Sequence, residues 1–255
     1  MPSHQAPALM LKRWRPHWFC GLGLVLGSLA PDLEFILRLD TEWVVSHTLV
    51  GQLLFTVPIS LALYWAITEW VVPALDPALP PAWVQLTREL RPRGETDWPR
   101  VARSALVGGL THIFLDGFTH GGPSGWAVAL WPWLRTPSPV GAVPVHDVLQ
   151  LGLSLAFGAF VVLRWRFLVA ATGQASAPAA ADTQLRLGAW LVGCAVLGTR
   201  LPAWLRPGAP RGSALELAAY GAIDALLVGV VLAALGFRLW RGRGSARVPE
   251  GAPCG

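Results

Sequence analysis

The stretch Thr111-His112-Ile113-Phe114-Leu115-Asp116-Gly117-Phe118-Thr119-His120 repeats a polar, metal-capable side chain at every fourth position. Residues four apart on an α-helix are rotated by only about 40° around its axis. His112, Asp116 and His120 therefore form a stripe on one face, with the carboxylate in the middle. A carboxylate flanked by neutral imidazoles is a mixed oxygen and nitrogen donor set that suits zinc or manganese. A divalent ion would keep Asp116 ionised and both rings neutral. The same residues have a plainer use, as a polar knot that hydrogen-bonds neighbouring helices together. Glycines at 108, 109 and 117 would let those neighbours come close.

Three further residues belong to the argument because of where the chain must carry them. Asp32 closes the segment Gly27-Ser28-Leu29-Ala30-Pro31-Asp32. His47, in Ser46-His47-Thr48, is read as opening a long apolar helix, and His4 opens the first helical arm. Taken singly, these are a turn residue, a helix-start residue and part of a chain terminus. The order of apolar segments nevertheless brings all three to the end where the His112–His120 stripe arrives. Ser46 beside His47 is not expected to act as a catalytic pair, since adjacent helical residues point in different directions.

The elements that position these residues follow from composition. Hydrophobic residues make up 53% of the 255, charged residues only 14%, and mean hydropathy is +0.48. A water-soluble domain carries roughly a quarter charged residues; here lipid must solvate much of the surface. The expected fold is all-α: a polytopic transmembrane bundle of about five full spans plus a short N-terminal helical hairpin. The hairpin arms are His4–Leu11 and Trp18–Ala30, each shorter than the roughly 20 residues of a straight span. A signal-peptide reading is disfavoured, because cleavage after Ala30 would put Pro31 at the scissile position.

Spans are expected at His47–Val72, Val101–His120, His146–Leu168, Leu185–Leu205 and Ala214–Trp240. Asp97 and Pro99 give a capping signal for the second. A surface helix at Ala82–Leu90, an interfacial loop with Trp126, Trp131 and Trp133, and a flexible linker at Thr172–Asp182 complete the reading. Residues 1–240 then form a single membrane domain, with 1–150 carrying the His and Asp motifs and 241–255 a disordered tail. No internal repeat is visible.

A net charge of +5 and a pI of 9.8 invite nucleic acid in a soluble protein. In this chain the basic residues lie between apolar stretches, so topology accounts for them and no nucleic-acid partner is expected. Of the 20 Lys and Arg, all but Arg38, Arg135, Arg200, Arg206 and Arg211 fall on one side of the alternating spans. The positive-inside rule makes that side cytoplasmic, the C-terminus included. The His and Asp residues then face the outer leaflet of a bacterial inner membrane. Three cysteines without CxxC spacing give neither a disulfide framework nor a zinc finger. Walker, Rossmann, HExxH and GxSxG patterns are absent.

Ser3-His4, Gly27 to Asp32, Ser46 to Gly51 and Gly108 to His120, in that order, resemble the bacterial membrane proteins of domain-of-unknown-function family 4184 over about the first 150 residues. That family brings no activity with it. More distantly the pattern resembles the membrane-bound metal-dependent hydrolases called inner-membrane LexA-binding proteins, and beyond them soluble zinc-dependent phospholipases C and single-strand nucleases. The last resemblance implies His4, Asp32, His47, His112 and Asp116 as metal ligands, with Asp116 bridging two ions and His120 and His146 as further ligands. His146-Asp147-Val148-Leu149-Gln150 echoes a His-x-x-x-Glu pair with glutamine in place of the carboxylate, which argues for one or two metals over three.

The functional expectation is a hydrolase of a membrane-associated ester or phosphoester, worked by Asp32, His47, His112 and Asp116 around a divalent metal, zinc by preference. A metal there lowers the pKa of bound water to about 7. The rival expectation is a scaffold or transporter with structural His and Asp contacts. His146, Gln150 and Asp224 are placed around the site as supporting residues. Asp224 ends a second stripe with Glu216 and Tyr220 that more readily pairs with Arg200 than does chemistry.

Overall fold

The computed structural model describes residues 4–34, 45–75, 95–122, 125–139, 141–171, 178–198, 222, 225–226, 228–236 and 238. Among them the structure is helical, with no strand and a lone bridge between Pro137 and Pro144. The helices are α1 (Gln5–Trp14), α2 (Gly21–Leu29), α3 (Leu49–Leu75), α4 (Trp98–Thr119), α5 (Trp126–Leu130), α6 (Val145–Ala171) and α7 (Pro178–Gly198). The expected surface helix at 82–90, the stripe through Asp224 and the tail lie outside the described residues.

Two compact units divide the chain: Met1–Tyr64 with Pro81–Gln174, and Trp65–Pro80 with Ala175–Gly255. In the second unit, Ala74, Leu75 and Ala234 are buried together, and Trp190 Nε1 donates to the Gly229 carbonyl at 3.0 Å. The candidate site lies wholly in the first.

Within that first unit the hairpin forms as the sequence suggests. Lys12 Nζ donates to the carbonyls of Pro16 and Phe19 at 2.7 and 2.8 Å, satisfying acceptors in the turn between α1 and α2. Pro31 converts the end of α2 into a 3₁₀ turn, Ala30–Asp32. The hairpin closes where Ser28 Oγ donates to the His4 carbonyl at 2.9 Å.

The main packing is α2 on α4, through small residues. A Cβ on Gly27 would overlap the backbone of Ala105, and one on Gly108 would overlap that of Leu24. Small residues at the crossing let the two backbones approach this closely. Ser104 Oγ accepts from Cys20 N at 2.8 Å, serving a backbone donor at the start of α2. Asp97 caps α4 by accepting from Arg100 N at 2.9 Å, with Pro99 in the first turn.

The helix α3 starts later than expected. Thr48 is its N-cap, accepting from Gly51 N at 2.9 Å, so His47 sits in the preceding turn and not in the helix. Wider π turns occupy Gln52–Thr56 and Ala66–Val71. Among the described residues α3 is the one helix long and apolar enough to cross a membrane; shorter apolar stretches occur at Val145–Phe160 and Leu187–Leu197. The linker expected over Thr172–Asp182 is helical from Pro178, because its alanines are the strongest helix formers.

Candidate functional site

The site is built where the ends of α1, α2 and α4 meet the turn before α3. His4 is the N-cap of α1, Asp32 ends the 3₁₀ turn, His47 stands two residues before α3, and His112 and Asp116 lie on the last two turns of α4. His4 Nε2 lies 3.1 Å from Asp116 Oδ1; His47 Nε2 and His112 Nε2 lie 3.2 and 3.0 Å from Asp116 Oδ2. His112 Nε2 is also 3.4 Å from Asp32 Oδ1. The His4 and His47 rings pack on His112 with centroids 4.5 and 5.4 Å away. His112 is fully buried and Asp116 nearly so.

Hydrogen bonds behind the rings fix which nitrogen carries the proton. His112 Nδ1 lies 2.8 Å from the Ser28 carbonyl, which can only accept, so Nδ1 is the donor. A neutral His112 then presents a bare Nε2 to two carboxylates. His47 is held in the same way: Ser46 Oγ donates to the Pro31 carbonyl at 2.9 Å and is 2.9 Å from His47 Nδ1, so it accepts from that ring. Neighbours 46 and 47 meet, contrary to the expectation from helical geometry, because they occupy a turn. The contact orients the imidazole; it does not make Ser46 a nucleophile.

A ring nitrogen facing a carboxylate oxygen needs a proton or a metal cation between the two. His112 Nε2 and Asp116 Oδ1 are buried and make no hydrogen bond. Donors of Asp32, His47 and His112 all lie within 4.8 Å of one another. Two ligands held at about 2.0–2.1 Å by a tetrahedral ion stand roughly 3.3 Å apart. The histidine contacts to Asp116, at 3.0–3.4 Å, bracket that spacing, and Asp32, His47 and His112 form a group that could hold a metal ion.

The outlying residues divide. His120 follows α4, with Nδ1 3.4 Å from Asp116 Oδ1 and its side chain 39% exposed, so it forms the open rim. His146 Nδ1 donates to the Leu134 carbonyl at 2.9 Å, and its Nε2 lies 3.4 Å from Asp147 Oδ1 and against Gly121. It stands beside the loop after His120. Gln150 lines a cleft with His4, Leu115, Thr119, Leu153, Ser154 and Phe157.

Glu34 was not singled out from sequence. Its buried carboxylate accepts from Ser46 N at 2.8 Å and Val45 N at 3.2 Å, fixing the turn that carries His47. A glutamate two residues after Asp32, among apolar neighbours, was the available signal.

The family model for the domain of unknown function DUF4184 matches residues 1–235. The chain belongs to that family. The match runs past the first 150 residues and takes in all of the described His and Asp cluster. No curated protein and no solved structure matches the chain.

Proposed function

We propose that the cluster holds one or two divalent metal ions, zinc by its donor set, and that the protein is a membrane-embedded hydrolase of a membrane-associated ester or phosphoester. One observation carries this reading. Backbone and hydroxyl acceptors tie up Nδ1 of both His112 and His47, leaving two Nε2 atoms aimed at Asp116. Metal-binding histidines are oriented in this way, by a partner on the other ring nitrogen. His4, Asp32, His47, His112 and Asp116 would be the ligands, with Asp116, touched by every histidine of the cluster, placed to bridge. An ion held there would polarise a phosphoryl or carbonyl oxygen and make water acidic enough to attack near neutral pH. His120 at the exposed rim is placed to meet an entering substrate.

A small cleft beside His4, lined by Leu115, Thr119, Gln150, Leu153, Ser154 and Phe157, adjoins the cluster.

Embedding in the membrane is supported by the inside-out character of α3. Leu49, Val50, Leu53, Leu54 and Trp65 are exposed, whereas Gln52, Thr56 and Ser60 are buried. A multi-pass bundle of about five spans, with the site at the outer leaflet and a cytoplasmic C-terminus, follows from the charge bias. A reporter fused at Arg247 would then be inactive as periplasmic alkaline phosphatase; activity there would reverse the topology.

The rival reading, a scaffold or transporter, draws on the same contacts, which already join four segments. Metal analysis of detergent-purified protein separates the two. A stoichiometric ion, lost in Asp116→Asn with the fold retained, supports the hydrolase. Protein without transition metal removes it.

A further inference from the structure

The buried face of α3 carries a feature that the His and Asp cluster does not require. Gln52, Thr56, Ser60 and Tyr64 recur every four residues and are at most 1% exposed. They form a polar row along the helix most suited to crossing a membrane. Four residues overshoot one α-helical turn by about 40°, so three such steps would swing the row by about 120°. The wider π turn over Gln52–Thr56 absorbs part of that swing and keeps the row facing inward.

The oxygens of this row are not used as such oxygens normally are. Hydroxyls inside helices commonly bond back to a carbonyl three or four residues earlier. On α4 they do: Ser104 bonds to Arg100, Thr111 to Gly108 and Thr119 to Leu115. On α3, Gln52 Oε1, Thr56 Oγ1 and Ser60 Oγ are fully buried with no hydrogen-bond partner. A buried polar atom left unpaired costs about 1–3 kcal/mol, and ordered water is the usual remedy. Packing alone would have chosen alanine or valine at these sites.

We propose that this row binds a file of water molecules along which protons pass between the two ends of the first unit. The spacing suits it. Successive side chains are about 6 Å apart along the axis, which two hydrogen bonds of about 2.8 Å through one water would span. One end lies beside the His and Asp cluster, where Gln52 Nε2 donates to the Ser46 carbonyl. The other lies at Tyr64, beside Cys20, with Lys12 nearby donating to the Phe19 carbonyl. His120 and Lys12 mark the solvent-accessible ends. Each hydroxyl accepts one proton and releases another, so no group in the row changes charge. Intramembrane polar chains of this kind mark proton routes. The proposal rests on the row alone and stands whether or not the cluster binds metal.

The test is proton flux in vesicles containing the purified full chain and an entrapped pH dye. After an imposed pH difference, wild-type vesicles should equilibrate several-fold faster than protein-free ones. Thr56→Val combined with Ser60→Ala should return the rate to the protein-free value, while Thr56→Ser should keep it. Elution of each variant as a monodisperse peak in detergent checks the fold, and Ser60→Ala alone replaces the double variant should that aggregate. A wild-type rate equal to that of empty vesicles overturns the proposal. So does unchanged flux in a folded variant lacking the hydroxyls.

Discussion

The Ser28 carbonyl accepts from His112 Nδ1 at 2.8 Å, across 84 residues of chain, and thereby turns the opposite ring nitrogen toward Asp116. This contact links the α2–α4 crossing to the chemistry of the site. Ser28 can reach His112 because Gly27 and Gly108 let α2 and α4 nearly touch.

Gly27→Ala should therefore damage the site from a distance. Its new methyl overlaps the Ala105 backbone, which cannot rotate away as a side chain could. Overpacking of this kind costs about 1–3 kcal/mol. The expected result is a lower midpoint in thermal melts of the detergent-solubilised protein, accompanied by loss of metal. Wild-type melting and metal content together would show that the crossing has more room than its geometry indicates.

Ser46→Ala tests the orientation of His47 without touching a ligand. The ring would lose the hydroxyl that accepts from Nδ1, and either tautomer would then be open to it. Loss of such an outer partner typically weakens metal binding by about 10–100-fold. Competition with a chelator of known affinity measures this directly. Unchanged affinity would assign Ser46 to the Pro31 contact alone.

Acid should strip the metal through the imidazoles and not through Asp32. An aspartate ordinarily titrates at about pH 4, so Asp32 remains ionised throughout mildly acidic conditions. Histidine is the side chain whose ordinary pKa falls between pH 5 and 8. Protons compete with metal for Nε2, so affinity should fall as pH drops from about 7 toward about 5. Metal retention measured across that window checks the sign: binding that stays flat to about pH 5 would exclude histidine ligation.

Much of this arrangement was visible in the residues. The four-residue spacing of His112, Asp116 and His120 placed them on one face, and the Asp97–Pro99 cap located the start of α4. Gly108, Gly109 and Gly117 were read as points of close approach, and they meet α2, the Gln52 and Thr56 side chains, and Trp126 respectively. Contacts between distant segments with no local periodicity were harder to read. The Ser46–His47 pairing depends on the helix starting at Leu49 and not two residues earlier. The π turns of α3 leave no composition signal, and Gln52, Thr56, Ser60 and Tyr64 carry no role in the sequence reading.

Glu34 supplies the last prediction, because it acts on the site through backbone alone. Its carboxylate accepts from the amides of Val45 and Ser46, and Ser46 in turn holds the His47 ring. Hydrogen bonds to a charged acceptor contribute about 1.5–3 kcal/mol each, and a buried amide left unpaired costs a similar amount. Glu34→Gln keeps one acceptor oxygen but turns an NH₂ toward a backbone N–H, so the turn should loosen while the helices stay packed. The expected signature is a metal affinity reduced by about 10-fold or more with little change in helical content by circular dichroism. Glu34→Ala should go further, lowering the melting midpoint as well. Should both variants bind metal as tightly as wild type, the 45–48 turn would have to be positioned by Thr48 and Gln52 without Glu34.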